Sequence, residues 1–224
     1  MSPQDKIILL ASKIHLSTIE LEELDAQVAL VSHWDALVAN SIKLGVGPLF
    51  YSKLSRLSNQ NILNVEIRER LKQSYYRTLS RGMVLHATFR KVVEAFTSNG
   101  IQVIALKGVY LSEWLYGDIG LRQFSDIDLL VNEEDGERCQ QILRSIGFSQ
   151  PTNKVTQMVA DLSRIVHYPP MLMNDVAVEI HINLHRQDKP YNLNVKKLIE
   201  NSEPLVINGV RVQVLELLDL LIFL

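Results

Sequence analysis

Apolar positions along this chain change their spacing near residue 100. Before it they recur every three or four residues, the period of a helix packed on one side. After it short runs alternate or stay apolar throughout, as strands do. In the first region Ser17-Thr18-Ile19-Glu20 is a capping-box pattern, so a helix is expected from Ile19 to Val31. A second is expected from Trp34 to Leu44, where Gly45-Val46-Gly47-Pro48 interrupts it, and a short one from Leu49 to Leu57. Ile67, Leu71, Tyr75, Leu79, Met83, His86, Phe89, Val93 and Phe96 keep helical spacing, which predicts one long helix from Val65 to Ser98 with Gly82 as the place for a bend. Lys72, Arg77, Arg81, Arg90 and Lys91 read most simply as its solvated flank, with contact to an anionic substrate as the alternative.

From Gly100 the elements alternate. Ile101 to Leu106 reads as a buried strand that Gly108 ends, and Val109 to Tyr116 as a helical turn or two. Gly117 to Gly120 makes a loop, and Asp126 to Val131 a strand. Asn132 is placed to cap a helix with an acidic first turn, Glu133-Glu134-Asp135. Its buried stripe is Cys139, Ile142, Leu143 and Ile146, and Gly147 stops it. Ile165–Met173 and Val176–Leu184 read as antiparallel strands joined near Asn174-Asp175. Val206 to Val214 is a hairpin around Asn208-Gly209. The expected class is α+β: a helical region over residues 1–98, then a mixed sheet flanked by helices over 99–224. Leu215 to Leu224 begins an apolar helix without a cap. It docks internally, pairs with another copy, or is the stub of a longer helical region; the last is the favoured expectation.

Composition narrows the setting. A net charge of -2 gives no general attraction to nucleic acid. The single cysteine, Cys139, excludes an internal disulfide and fits a reducing cytosol. No signal-peptide pattern opens the chain, and its apolar stretches fall short of the ~20 residues of a spanning helix. A cytoplasmic protein without a membrane partner is the expectation.

The candidate chemistry sits on three segments. On a strand, Asp126 and Asp128 project from one face while Ile127, Leu129 and Val131 enter a core. Paired carboxylates repel unless a cation lies between them, and oxygen ligands suit Mg²⁺. The plain alternative is a solvated strand face. Lys107 and Gly108, between a strand and a helix N-terminus, offer a cation and backbone N–H groups to phosphate. Arg122, just before the aspartates, either clamps a phosphate or pairs with Asp118 or Asp126. Val176 to Leu184 alternates without a fault and puts Glu179, His181 and Asn183 opposite its apolar face. Glu179 is a third carboxylate if this strand neighbours the first. His181 and His185 read as solvated or hydrogen-bonded imidazoles rather than a zinc pair.

Together, Leu106-Lys107-Gly108, Tyr116-Gly117-Asp118-Ile119-Gly120-Leu121-Arg122, Asp126 to Val131 and Val178-Glu179-Ile180 resemble the polymerase-beta-like nucleotidyltransferase superfamily. More narrowly, they look like a bacterial group of uncharacterised nucleotidyltransferases. The resemblance covers about Gly100 to Leu184. It implies an enzyme that moves a nucleoside monophosphate from a nucleoside triphosphate, ATP among the candidates, to an acceptor hydroxyl on a protein, an RNA or a small molecule. It also implies that Asp126, Asp128 and Glu179 hold Mg²⁺ or Mn²⁺ and carry catalysis, while Lys107, Gly108, Arg122 and Ser125 bind the nucleotide. The chain departs from the wider pattern in having Val109 where a small or hydroxylated residue usually follows the glycine. Two other readings stand beside it: a nucleotide-binding or regulatory module without turnover, and a protein-interaction domain that self-associates through its apolar C-terminal helix.

Overall fold

The computed structural model describes residues 1–58, 63–151, 166–185 and 193–224, and these form an α+β structure. Two compact units divide the chain. One is helical, Met1–Met83 with Tyr116–Gln123; the other, Val84–Leu115 with Phe124–Leu224, carries the sheet.

The helical unit contains α1 (Pro3–Ser12), α2 (Thr18–Ala29), α3 (Trp34–Lys43), α4 (Gly47–Lys53) with a 3₁₀ turn Leu54–Arg56, and the first part of α5 (Val65–Ser98). The expected capping box forms: Glu20 N–H donates to Ser17 Oγ, and Ser17 N–H donates to the Glu20 carboxylate at 2.8 Å. Ser2 and Asp5 repeat the device on α1. Ile7, Leu24, Leu37, Phe50, Ile67 and Leu71 build the core. Along α5 the buried stripe continues through Ser74, Thr78 and Gly82 to Leu85, while Met83, expected in the stripe, is exposed. Small residues sit there because backbone packs against them. A Cβ on Gly82 would lie 3.0 Å from the Ile119 carbonyl, and one on Gly47 would lie 2.8 Å from Ser74 Oγ. Gly82 therefore permits a close approach.

The sheet unit adds β1 (Ile104–Ala105), α6 (Lys107–Trp114), β2 (Asp126–Leu130), a 3₁₀ turn (Glu133–Asp135) leading into α7 (Gly136–Ser145), β3 (Met171–Met173), β4 (Val176–His181), α8 (Val195–Glu200), β5 (Glu203–Ile207), β6 (Val210–Val214) and α9 (Leu217–Phe223). The strand order is β3-β4-β2-β1-β6-β5; β2–β4 and β1–β6 are parallel, the other pairs antiparallel. Both hairpin loops have two residues with positive φ, Asn174-Asp175 (48° and 61°) and Asn208-Gly209 (48° and 75°). That is the type I′ geometry whose twist matches the strands it joins. Leu85, Phe89 and Phe96 of α5 pack with the buried strand residues.

Four expectations change. The run from Ile101 to Leu106 is buried except at Gln102, but only Ile104–Ala105 is strand. Gly108 does not end that strand; it lies inside the first turn of α6, which starts at Lys107. Asn132 makes no side-chain cap bond, and a 3₁₀ turn precedes α7. The segment before Asn174 is strand only at Met171–Met173, because Pro169-Pro170 offer no N–H to a ladder. Upstream, Tyr168 N–H donates to the Ile180 carbonyl at 2.8 Å, and Ile165 lies outside the described residues. Cys139 is core as expected, its thiol pushed up to about 12 by burial. No described helix is long and apolar enough to cross a membrane.

Candidate active site

β2 lies between β1 and β4, so its backbone is paired on both sides and its side chains take fixed directions. The parallel register sets Asp126 beside Ala177, Asp128 beside Glu179 and Leu130 beside His181. Residues level with one another in a parallel pair share a face. Asp126, Asp128, Glu179 and His181 therefore share one face, while Ile127, Leu129, Val178 and Ile180 fill the core on the other.

Asp128 is the centre of this face and is 5% exposed. His181 Nε2 lies 3.1 Å from its Oδ1, and Lys107 Nζ 3.7 Å from its Oδ2. His181 Nε2 is also 3.8 Å from Glu179 Oε2, and His167 Nδ1 is 3.7 Å from the same oxygen. Burial alone pushes the Asp128 carboxyl up. The hydrogen bond from His181 and the electrostatic influence of His181, Lys107 and His167 outweigh it and hold the group below the usual carboxylate range. Lys107 also lies 5.3 Å from the ring centroid of Phe223 on α9.

Gly108 is needed where it stands: a Cβ there would come within 3.1 Å of the Phe124 ring and 3.4 Å of the Asp126 carbonyl. This contact brings the first turn of α6 against the start of β2. Val109 is buried in the core, so the position that lacks a hydroxyl is a packing position. Ser125 is exposed immediately before β2. Arg122 belongs to the helical unit, where it borders a depression of about 350 Å³ with Lys43, Gly45 and Tyr116. In that loop Asp118 accepts from Gly120 N–H at 2.8 Å and from Tyr75 O–H at 3.0 Å.

The residues that gather differ from those expected in two respects. Asp128, Glu179 and His181 each offer a ligand atom within 4.8 Å of the others; Asp126, level with Ala177, is outside that group. His181, read as a solvated or hydrogen-bonded imidazole, is 5% exposed and hydrogen-bonded into the cluster. Its place two residues beyond Glu179 on an alternating strand was the available signal. Two carboxylates and an imidazole, largely withdrawn from water, form a donor set that fits a divalent cation. Past the carboxyl ends of β2 and β4 opens a cavity of about 880 Å³, bordered by Asn132, Glu133, Glu137, Tyr168, Asn183 and Lys196.

Comparison with known proteins gives one relationship. Neither curated proteins nor solved structures match the chain. A family model described as an uncharacterised nucleotidyltransferase matches residues 31–224, and the chain belongs to that family.

Proposed function

We propose that this protein is a metal-dependent nucleotidyltransferase, moving a nucleoside monophosphate from a nucleoside triphosphate to an acceptor hydroxyl. The observation that carries the reading is the level pairing of Asp128 with Glu179 on one face of β2 and β4, in a chain of a nucleotidyltransferase family. Asp128 and Glu179 would hold the cation, with Asp126 facing the same side two residues earlier on the strand. Mg²⁺ or Mn²⁺ would supply Lewis acidity at the phosphoryl oxygens and acidify the acceptor hydroxyl.

The chain's own groups divide the remaining work. Lys107 is half-exposed beside Asp128 and would turn its ammonium to the triphosphate. Gly108 and the first-turn N–H groups of α6 would bind phosphate oxygens, favoured by the helix dipole. Ser125 would add a donor to the nucleotide. Glu179, 23% exposed in its side chain, would orient the acceptor hydroxyl for in-line attack on the α-phosphorus as pyrophosphate leaves. The 880 Å³ cavity is bordered by Glu133, Glu134, Glu137 and Lys196, and its excess of carboxylates disfavours a triphosphate there.

The test is incubation of the purified chain with each α-labelled nucleoside triphosphate, Mg²⁺ or Mn²⁺, and cell lysate. Label should pass to a discrete product with stoichiometric pyrophosphate. Absence of both with every nucleotide and either ion would contradict the proposal.

A further inference from the structure

We infer that His181 is a metal ligand, so that the site takes a divalent cation which accepts nitrogen, with Mn²⁺ bound in preference to Mg²⁺. This rests on the reading that Asp128 and Glu179 are metal ligands, and it adds a third donor that changes which ion they hold.

The first support is distance. Donors about 2.1 Å from one ion stand about 3.0 Å apart at a right angle and about 3.4 Å apart at a tetrahedral angle. His181 Nε2 is 3.1 Å from Asp128 Oδ1 and 3.8 Å from Glu179 Oε2, and one ligand atom of each of the three residues lies within 4.8 Å of the others, close to the spacing of donors around one ion. The second is rigidity. His181 occupies the last position of β4, level with Leu130 of β2, and is 5% exposed, so its ring has little room to turn away. The third is chemistry. Mg²⁺ takes oxygen and gives up its waters reluctantly, whereas imidazole nitrogen suits ions along the series from Mn²⁺ to Zn²⁺. A buried imidazole edge facing two carboxylates therefore costs Mg²⁺ an oxygen ligand and gives Mn²⁺ a nitrogen one.

The opposite edge of the ring sets the strength. A histidine that ligates a metal usually donates its other N–H to a carboxylate or a carbonyl. Among the described residues, His181 Nδ1 has no hydrogen-bond partner. The ring therefore has, among the described residues, no second contact of the kind that strengthens a dedicated zinc centre, and an exchangeable ion is expected. His167 is differently placed: its Nδ1 is 2.9 Å from the Tyr168 carbonyl, which occupies the nitrogen nearest Glu179.

The decisive experiment is pulsed electron paramagnetic resonance of Mn²⁺ bound to the nucleotide-free chain, paired with calorimetric titration of Mn²⁺ and Mg²⁺. Echo modulation from a directly bound ¹⁴N nucleus is expected, changing to the ¹⁵N pattern when histidine is ¹⁵N-labelled in the wild-type protein. It should persist in His167→Gln and vanish in His181→Gln. Mn²⁺ should bind at least about tenfold more tightly than Mg²⁺, about 1.4 kcal/mol. Wild-type Mn²⁺ without nitrogen modulation, modulation lost with His167 instead, or equal affinity for the two ions would overturn the inference. The labelled wild type and His167→Gln decide it even if His181→Gln does not fold. Nucleotidyl transfer with Mg²⁺ and no nitrogen at Mn²⁺ would remove this inference alone; nitrogen ligation without transfer would remove the proposed function alone.

Discussion

Each unit buries a charged side chain, and the two are treated in opposite ways. In the helical unit Lys53 is 3% exposed, and its ammonium reaches the Leu49 carbonyl at 3.4 Å. Among the described residues no carboxylate pairs with it, and burial, aided by nearby Arg56, pulls its pKa down to about 8. In the sheet unit Asp128 is buried to a similar degree, yet a hydrogen bond and three basic side chains keep its carboxyl below the usual range. A buried charge without a partner is a cost that the surrounding core must carry. A buried carboxylate beside a lysine is ready to exchange that positive partner for another. Lys107, with its side chain 43% exposed, is the partner best able to leave Asp128 when a metal and a triphosphate arrive.

The largest expected effect is at Asp128. Asp128→Ala should lower nucleotidyl transfer by at least roughly 10²–10³-fold, on the scale of losing a group that stabilises transition-state charge. Sequence reasoning about two adjacent aspartates suggests that removing one relieves repulsion and leaves stability level or higher. The structure reverses that sign. Asp128 is hydrogen-bonded to the buried His181 and has Lys107 beside it, so its loss strands the His181 edge at a cost of about 1–3 kcal/mol. Urea denaturation of the metal-free variant measures this, and a variant as stable as wild type would show that the carboxylate is not held as described.

Lys53 gives the converse. Replacing it with methionine should stabilise the helical unit by about 2–3 kcal/mol at neutral pH, because a depressed lysine pKa is the cost of a buried charge expressed as proton affinity. The sign with pH follows. Below about 8 both states carry the proton and the native state bears the full cost. Between about 8 and 10.5 the unfolded chain holds more proton than the native one, so wild-type stability climbs with pH. Lys53→Met should lack that climb. Denaturation at several pH values across the window checks it, and a parallel slope in both proteins would contradict the assignment.

A smaller pair of effects contrasts the glycines. A Cβ on Gly120 would lie 2.6 Å from the Tyr75 ring in the helical unit, whereas one on Gly108 would meet Phe124 at 3.1 Å in the sheet unit. Gly120→Ala should cost about 1–3 kcal/mol of stability through overpacking. Gly108→Ala should cost less stability but weaken triphosphate binding, since it displaces the first turn of α6. Thermal unfolding and nucleotide titration of both variants separate the two; equal loss of nucleotide affinity in both would contradict the assignment of Gly108 to the phosphate.

Local patterns were legible and lateral ones were not. The 34-residue α5 runs from Val65 to Ser98 as its spacing predicts, since a helix pattern is carried by the segment itself. Both two-residue turns were marked by their own residues, Asn174-Asp175 and Asn208-Gly209. The pairing of β2 with β4 is different, because 45 intervening residues, Val131 to Asp175, hide which strands become neighbours. Period-two alternation placed Asp128 and Glu179 on polar faces but could not bring those faces together. The same gap hid His181, whose membership depends on its standing level with Leu130. Gly108 misled for another reason: a glycine in a helix reads as a breaker, and its actual role, contact with Phe124 and the Asp126 carbonyl, exists only in the folded chain.

The central claim is that Asp128 and Glu179 form one transfer site, and Glu179→Gln tests it most directly. The change keeps size and hydrogen bonding, and removes only the charge. Pyrophosphate release and nucleotide affinity should be measured together on the wild type and the variant, with Mn²⁺ and the labelled acceptor fraction. The account predicts turnover lowered by roughly 10²-fold or more with nucleotide affinity changed by less than about threefold, the pattern of a group acting in the transition state. Full turnover in Glu179→Gln would contradict it.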